Sequence, residues 1–252
     1  MIRPILFNTE MVKAILSGSK TTTRRCVKPQ PQAELKYKLG YCVDGDKKDI
    51  GKFGFASTEC GGKILYVTPP AKVGDVLWVR ESWQQVYETE IFEAGKEVNI
   101  RNVISNFDDI SKVCVGLSTE YATPTTKPRN KYYVYKTDDI QYADEKYTLR
   151  WKPSLHMPKK AARIFLKVKD VRVERLDDMK VEDAIHEGIN MDGLITNRGI
   201  IEYRVWNRWN ELWDSTIPKK DLPVYGSEAN PWVWVIEFER CEKPDEFTGS
   251  NN

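Results

Sequence analysis

The chain has 252 residues, of which 40% are hydrophobic and 30% are charged, as in ordinary globular proteins with room for a substantial core. Its 39 lysines and arginines are nearly balanced by 37 aspartates and glutamates, which leaves a formal net charge of +2. This balance excludes a basic field over the whole molecule, so any surface that binds nucleic acid must be a local patch.

The cysteines, at positions 26, 42, 60, 114 and 241, include no C-x-x-C pair. An odd number without such spacing predicts free thiols in a reducing compartment. The N-terminus lacks the layout of a signal peptide, and no apolar run approaches the length that spans a bilayer. We therefore expect a cytoplasmic protein without a membrane partner, while the oligomeric state is not indicated.

The N-terminal part of the chain predicts a strand, a helix and a second strand. The apolar run 4–7 is typical of a short strand, and Asn8 or Thr9 can cap the helix that follows it. Apolar residues recur at helical spacing up to position 16, and Gly18 then ends the helix. Residues 21–27 are rich in β-branched side chains and predict a strand.

Residues 18–25 carry the spacing G-x-K-x-x-T-x-R across this helix–strand junction. The motif combines the Lys20 amine, the Thr23 hydroxyl and the Arg25 guanidinium, which suit an anionic or polar ligand. Because side chains alternate along a strand, Thr23 and Arg25 share one face. Lys20 must lie in the turn before the strand if its amine is to approach Thr23.

The middle of the chain predicts strands that are separated by two insertions. The first insertion, 28–70, is bounded by prolines, and the second, 88–130, shows no clear period. A long strand is predicted over 76–87 and a further strand over 132–136. In the long strand Trp78 and Arg80 lie on one side, and Val79, Glu81 and Trp83 lie on the other.

The C-terminal part predicts a strand, two helices, a final strand and a polar tail. The expected elements are a strand over 163–175, a helix from Asp177 or Asp178 to about Glu187 that Gly188 ends, a helix over 201–213 and a strand over 231–238. Trp78, Trp206, Trp209 and Trp213 are expected in the core. Short strands with few helices predict an α+β fold with a small mixed barrel.

Several segments, taken in chain order, resemble the ASCH-domain family. They are the helix and motif over 9–25, the strand over 74–81, the strand over 163–168, and Leu176–Met179 followed by Ala184–Gly188. The family has a fold like that of the PUA domain of RNA-binding proteins, and the layout resembles its larger members from phage and prophage genomes. The resemblance implies a single PUA-like domain over 1–240 that is interrupted by the insertions at 28–70 and 88–130, followed by a disordered tail over 241–252.

Some small ASCH proteins are amidohydrolases that act on N4-acetylcytidine through a lysine, a threonine and a glutamate. The resemblance places these catalytic roles on Lys20, Thr23 and Glu187. A threonine hydroxyl becomes a useful nucleophile once a base removes its proton. Lys20 can be that base if its pKa falls, and like-charge repulsion from Arg24 and Arg25 favours a lower pKa. Glu187 would orient the lysine or carry a proton to the leaving amine.

The resemblance also implies RNA or a modified nucleoside as the ligand, in a pocket at the mouth of the barrel. We expect Arg25 to contact a phosphate or a base edge, in preference to Arg24, and Arg80 and Glu81 to line the pocket. Trp83 and Trp151 are candidate stacking walls for a base. No cofactor and no metal are expected, because the spacing of histidines and cysteines does not suit zinc.

Other functions are consistent with the same residues. A metal-dependent ribonuclease, an activity also reported for the ASCH family, would require carboxylates such as Asp75, Glu81 and Glu187 to converge on Mg²⁺. A module that binds RNA or a protein partner without turnover is a further alternative. In the simplest case Lys20 and Glu187 form an ion pair, Thr23 is an ordinary strand residue, and Cys26 is a buried, inert thiol.

Overall fold

The structure is a computed structural model that describes residues 1–87, 92–93, 96–97, 131–138, 150–191 and 198–245. The predicted insertion at 88–130 falls almost wholly outside these residues, as do positions 246–252 of the predicted tail. Within the described ranges no helix is both long enough and apolar enough to cross a membrane.

The described residues form sheets and a few helices, which confirms the α+β class. The strands are β1 (Ile2–Leu6), β2 (Thr22–Cys26), β3 (Tyr37–Tyr41), β4 (Phe53–Thr58), β5 (Gly61–Val67), β6 (Val76–Arg80), β7 (Trp83–Tyr87), β8 (Phe92–Glu93), β9 (Lys96–Glu97), β10 (Lys131–Tyr135), β11 (Phe165–Arg175) and β12 (Trp232–Cys241). The helices are α1 (Thr9–Leu16), α2 (Val181–His186), α3 (Arg198–Ser215) and α4 (Leu222–Tyr225).

A five-stranded sheet with the order β1-β6-β11-β12-β2 is the largest element of the fold. A three-stranded sheet, β3-β4-β5, and two-stranded pairs, β10-β7 and β8-β9, accompany it, and no closed barrel is formed by the part of the chain that is described. The chain divides into two units. The first unit comprises residues 1–3, 14–77 and 166–241, and the second comprises 4–13, 78–165 and 242–252.

The predicted N-terminal helix is confirmed at its start and at its end. The Asn8 side chain accepts a hydrogen bond from the backbone N–H of Met11 at 2.8 Å, which caps the first turn of α1. Gly18 follows the helix with a φ of 81°, a left-handed conformation that favours glycine. Strand β2 then begins at Thr22, so Lys20 lies in the turn as its predicted role requires.

Weak strand signals such as 63–68 cross the first insertion, and three of its segments pair as an antiparallel sheet. Rings from this sheet pack on β12, with Phe53 at 5.9 Å from Trp234 and Phe55 at 5.3 Å from Trp232. The Tyr41 hydroxyl also donates to the Val171 carbonyl at 2.9 Å. The insertion is therefore part of the core of the first unit.

The prediction of one long strand over 76–87 is wrong, because β6 and β7 are separate strands in different sheets. The break falls at Glu81 and Ser82. The backbone N–H of Glu81 donates to the Met157 sulfur at 3.2 Å, and its buried carboxylate binds Arg163. With these contacts, Glu81 does not take part in the hydrogen-bonding pattern of a strand. No pattern in residues 76–87 predicts them, because the partners lie far along the chain.

The start of the second predicted helix also needs correction. Residues Leu176–Asp178 form a separate 3₁₀ turn, and α2 begins only at Val181. Asp178 accepts the backbone N–H of Arg175, so it caps the turn, while Asp183 accepts the N–H of Lys180 and caps the helix. Glu187 follows the last residue of α2, and Gly188 ends the element with a φ of 84°.

The core of the first unit lies between β12 and the helices. Buried side chains from the 176–191 region, α3 and β12 form one cluster: Leu176, Met179, Ala184, Ile189, Val205, Trp209, Trp213, Val233 and Val235. Trp206 packs against this cluster, and the rings of Trp209 and Trp213 lie 5.8 Å apart. The predicted core positions of Trp209 and Trp213 are confirmed, Trp206 is half-buried, and Trp78 is buried in the second unit.

Candidate functional site

Backbone hydrogen bonds hold the turn that carries Lys20 against α1 and against the end of α2. The Lys20 N–H donates to the Ala14 carbonyl at 3.0 Å, and the Thr21 N–H donates to the His186 carbonyl at 2.9 Å. Gly188 permits this close approach, because a Cβ at that position would lie 2.8 Å from the Ala14 Cβ and 3.1 Å from the Lys20 Cβ. Local sequence at both junctions therefore brings Lys20 to Glu187.

The Lys20 amine and the Glu187 carboxylate form a buried ion pair. The amine donates to Glu187 Oε2 at 2.8 Å, to the Glu187 carbonyl at 2.8 Å and to the Thr22 carbonyl at 2.7 Å. Both residues are only 3% exposed. Three acceptors match the three N–H groups of an ammonium ion, so this arrangement holds Lys20 in its charged form.

Arg24 is a second cation on the same carboxylate. Its Nη1 donates to Glu187 Oε1 at 3.0 Å, and its Nη2 lies 3.3 Å from Glu174 Oε2 and 3.4 Å from Asp183 Oδ2. The residue is 2% exposed. The strand pattern favours Arg25 for the site, and it does not indicate Arg24, because the partners of Arg24 lie at least 150 positions later in the chain.

Thr23 is buried in β2 and lies opposite Ile236 in the register with β12. Because side chains alternate, Thr23 and Arg25 leave β2 on the face opposite that of Arg24. Trp234 lies opposite Arg25 and shares that face. The structure thus brings Lys20, Arg24 and Glu187 together. Thr23 lies between Thr22 and Arg24 in β2; the Thr22 carbonyl binds Lys20, and Arg24 binds Glu187.

Burial lowers the pKa of the Lys20 amine. The charge of Glu187 and its hydrogen bond oppose this shift, whereas the positive charges of Arg25 and Arg24 reinforce it. Burial also lowers the pKa of the Arg25 guanidinium, which an arginine tolerates without losing its proton. The direction at Lys20 is the one that a lysine needs to act as a base.

Glu81, which was expected to line a ligand pocket, belongs to the second unit and is fully engaged there. Arg163 binds both of its carboxylate oxygens, at 2.9 and 3.0 Å, and the Thr137 hydroxyl donates to Oε2 at 2.7 Å. Arg163 also pairs with Asp138 at 2.8 Å and lies 3.9 Å from the centre of the Tyr135 ring. We call these five residues the Glu81–Arg163 cluster.

Three more of the predicted ligand contacts, Arg80, Trp83 and Trp151, also lie in the second unit, whereas Arg25 lies in the first. Trp83 is buried between the Tyr133 ring at 5.8 Å and the Lys152 amine at 5.0 Å, whereas Trp151 is half-buried. The Arg80 guanidinium lies 4.7 Å above Trp78, on the same side of β6 as predicted. Stacking of a base on Trp83 or Trp151 stays a prediction.

The carboxylates that a magnesium site would use are each paired with cations. Asp75 binds the N-terminal amine at 2.9 Å and Arg3 at 3.4 Å, while Glu81 and Glu187 bind the cations named above. In the described ranges no group of three or more histidine, cysteine, aspartate or glutamate side chains could hold a metal ion. Cys26, Cys42, Cys60 and Cys241 are free thiols there, and burial raises the pKa of Cys26, as in an inert thiol.

Known proteins offer no guide to this site. Comparison with protein-family models, with curated protein sequences and with solved structures finds no match for the chain. The buried Lys20–Glu187 pair and its electrostatic surroundings are therefore the features from which a function can be inferred.

Proposed function

We propose that this is a protein of the ASCH type, in which the sheet β1-β6-β11-β12-β2 belongs to a PUA-like barrel. In this proposal it binds RNA or a modified nucleoside at the Lys20–Glu187 pair and hydrolyses an amide of the N4-acetylcytidine type. One observation supports the proposal above all others. The buried ion pair joins the G-x-K-x-x-T-x-R motif to a carboxylate 167 residues later, at the two positions that the family resemblance marks.

The proposed reaction uses Thr23 as the nucleophile and Lys20 as the base. Neutral Lys20 removes the proton of the Thr23 hydroxyl while Oγ1 attacks the acetyl carbonyl carbon. The C–N bond then breaks, the proton passes from Lys20 to the leaving N4 amine, and an acetyl ester of Thr23 remains. Water hydrolyses this ester, so the products are cytidine and acetate, and both side chains return to their starting forms.

Two steps must precede this chemistry. Lys20 donates to three acceptors as an ammonium ion, so it must first release one proton. Thr23 is 1% exposed, so binding of a substrate must displace the side chains that cover it. A site that opens for substrate and then excludes water strengthens the electrostatic interactions within it.

The decisive experiment follows the conversion of N4-acetylcytidine to cytidine by chromatography. We expect turnover by the wild type and a loss of at least about 100-fold in Thr23→Val, Lys20→Met and Glu187→Gln. Thr22→Val is the matched control, because it removes a buried hydroxyl one position away but keeps the carbonyl that binds Lys20. No turnover by the wild type, or equal turnover in Thr23→Val and Thr22→Val, would contradict the amidohydrolase.

Two further measurements separate this proposal from the alternatives. Affinity for single-stranded RNA should fall as salt increases if phosphates are bound, whereas a flat response argues against RNA contacts. Amide hydrolysis should be indifferent to a chelator, since the proposed steps use only side chains. Cleavage of RNA that stops when a chelator is added would instead identify a metal-dependent ribonuclease.

A further inference from the structure

The buried centre contains two cations and one anion. Lys20 and Arg24 bind different oxygens of the same Glu187 carboxylate, Oε2 and Oε1 respectively. The side chain of Arg24 is 0% exposed, and those of Lys20 and Glu187 are nearly as well buried. Taken alone these three side chains carry one excess positive charge, which Glu174 and Asp183 balance at Nη2 of Arg24.

Of the two cations, only Lys20 can lose its proton in practice. An arginine does not lose its proton under physiological conditions, whereas a buried lysine can. In an isolated lysine–glutamate pair, deprotonation of the lysine would leave a buried carboxylate without a partner, which is strongly unfavourable. Here Glu187 keeps its ion pair with Arg24 after Lys20 becomes neutral.

We propose that Arg24 is a positioning residue that keeps Glu187 ionised and in place while Lys20 gives up its proton. The inference rests on the proposed function, because a neutral Lys20 matters only if it acts as a base. It extends that function by naming a residue that lies outside the G-x-K-x-x-T-x-R motif and contacts the base only through Glu187.

The other charges around Lys20 are compatible with this role. Glu174 of β11 and Asp183 of α2 both lie beside Nη2 of Arg24, and their side chains are 21% and 30% exposed. They hold the far end of the guanidinium and leave Nη1 for Glu187. Arg25 of β2 is the other cation that acts on Lys20, and its charge favours the same loss of a proton. His186 of α2 is exposed.

The first test uses the wild-type protein and no substrate. Isotope-labelled lysine and glutamate allow the Lys20 amine and the Glu187 carboxyl carbon to be followed by NMR as pH rises. We expect Lys20 to titrate while the Glu187 signal stays that of a carboxylate throughout. A Glu187 signal in the range of a protonated carboxyl group once Lys20 is neutral would mean that the proton is shared within the pair, and the inference would be overturned.

The second test removes the charge of Arg24. In Arg24→Gln, which keeps a hydrogen-bond donor, and in Arg24→Met, the neutral fraction of Lys20 at a given alkaline pH should fall about tenfold. Lys169→Met is the control, since it removes a cation whose partner, Glu239, is not bound to Lys20, Arg24 or Glu187. An equal Lys20 titration in the Arg24 variants, the control and the wild type would refute the role of Arg24.

These readouts do not depend on turnover. If N4-acetylcytidine is not hydrolysed but Lys20 titrates as described, the proposed function fails and the electrostatic role of Arg24 stands. If turnover occurs but the titration of Lys20 is the same with and without Arg24, the proposed function stands and the role of Arg24 fails. If both Arg24 variants fail to fold, the wild-type titration of Glu187 still decides the question.

Discussion

Two buried ionic clusters, one in each unit, use similar residues in opposite ways. In the Glu81–Arg163 cluster one guanidinium serves two carboxylates and a threonine hydroxyl, and every one of its nitrogens donates. In the Lys20–Glu187 centre two cations share one buried carboxylate. Among the described residues, Arg24 Nε and Thr22 Oγ1 are left there as buried polar atoms without a partner.

The pKa shifts of Arg163 and Lys20, the central cations of the two clusters, have opposite directions. Burial lowers the pKa of Arg163, but the hydrogen bonds and charges of Glu81 and Asp138 outweigh it, so the pKa is raised. At Lys20 burial dominates, and the pKa is lowered despite Glu187. A cluster whose cation is held more firmly is a structural clamp, whereas a cluster in which burial lowers the pKa of a lysine suits chemistry.

The largest expected effect comes from breaking the clamp. Arg163→Met leaves the Glu81 carboxylate buried without a cation, which should lower the free energy of unfolding by about 3–5 kcal/mol. Urea denaturation measures the loss. Lys169→Met, which removes an exposed pair with Glu239, should change it by less than about 0.5 kcal/mol. Equal losses in the two variants would show that the cluster is not a clamp.

The stability of the region around the Lys20–Glu187 centre should depend instead on the close approach of Gly188 to Ala14 and Lys20. Gly188→Ala adds a Cβ at a φ of 84° that would lie 2.8 Å from the Ala14 Cβ, and we expect a loss of about 2–3 kcal/mol. Gly18→Ala is matched to it, because its φ is 81° and nothing lies within 4 Å of the added Cβ. That control should cost about 1 kcal/mol. The same urea experiment fails to support close packing if the two losses agree.

The lowered pKa of Lys20 predicts a pH dependence of stability. Between its folded pKa and its ordinary value of 10.5, the unfolded chain binds more protons than the folded one. The free energy of unfolding should therefore rise with pH in that window, by at most about 1.4 kcal/mol per unit. Lys20→Met should lack the rise, and exposed Lys219→Met should keep it; identical pH profiles in the two variants would contradict the lowered pKa.

The smallest effects compare two threonine hydroxyls. Thr137→Val removes hydrogen bonds with Glu81 and Arg163, so we expect a loss of about 1 kcal/mol. Thr22→Val removes a hydroxyl that has no partner among the described residues, so stability should stay the same or rise by up to about 0.5 kcal/mol. Thermal unfolding under one set of conditions resolves the difference, and a larger loss at Thr22 would reverse the comparison of the two clusters.

Local signals in the sequence predicted the elements that local chemistry controls. The cap at Asn8, the turn at Gly18 and the end of α2 at Gly188 each depend on residues within one or two helical turns. The position of Lys20 before β2 meets the condition that its approach to Thr23 requires, and the family resemblance marked Glu187 as its partner.

Features that depend on distant partners were beyond sequence reasoning. The break at Glu81 depends on Met157 and Arg163, and the engagement of Arg24 depends on residues 150 or more positions away. The strands of the sheet formed by 37–67 show only a weak alternation of apolar and polar residues. Aromatic contacts with the distant strand β12 stabilise this sheet. None of these dependencies leaves a periodic pattern or a motif in its own segment.

The packing of Phe53 and Phe55 on the tryptophans of β12 affects any attempt to shorten the chain. A trimmed version that joins residue 27 to residue 71 would remove only the first insertion and keep all five strands of the largest sheet. It would nevertheless expose two indole rings to water, and we expect such a truncation to aggregate during expression.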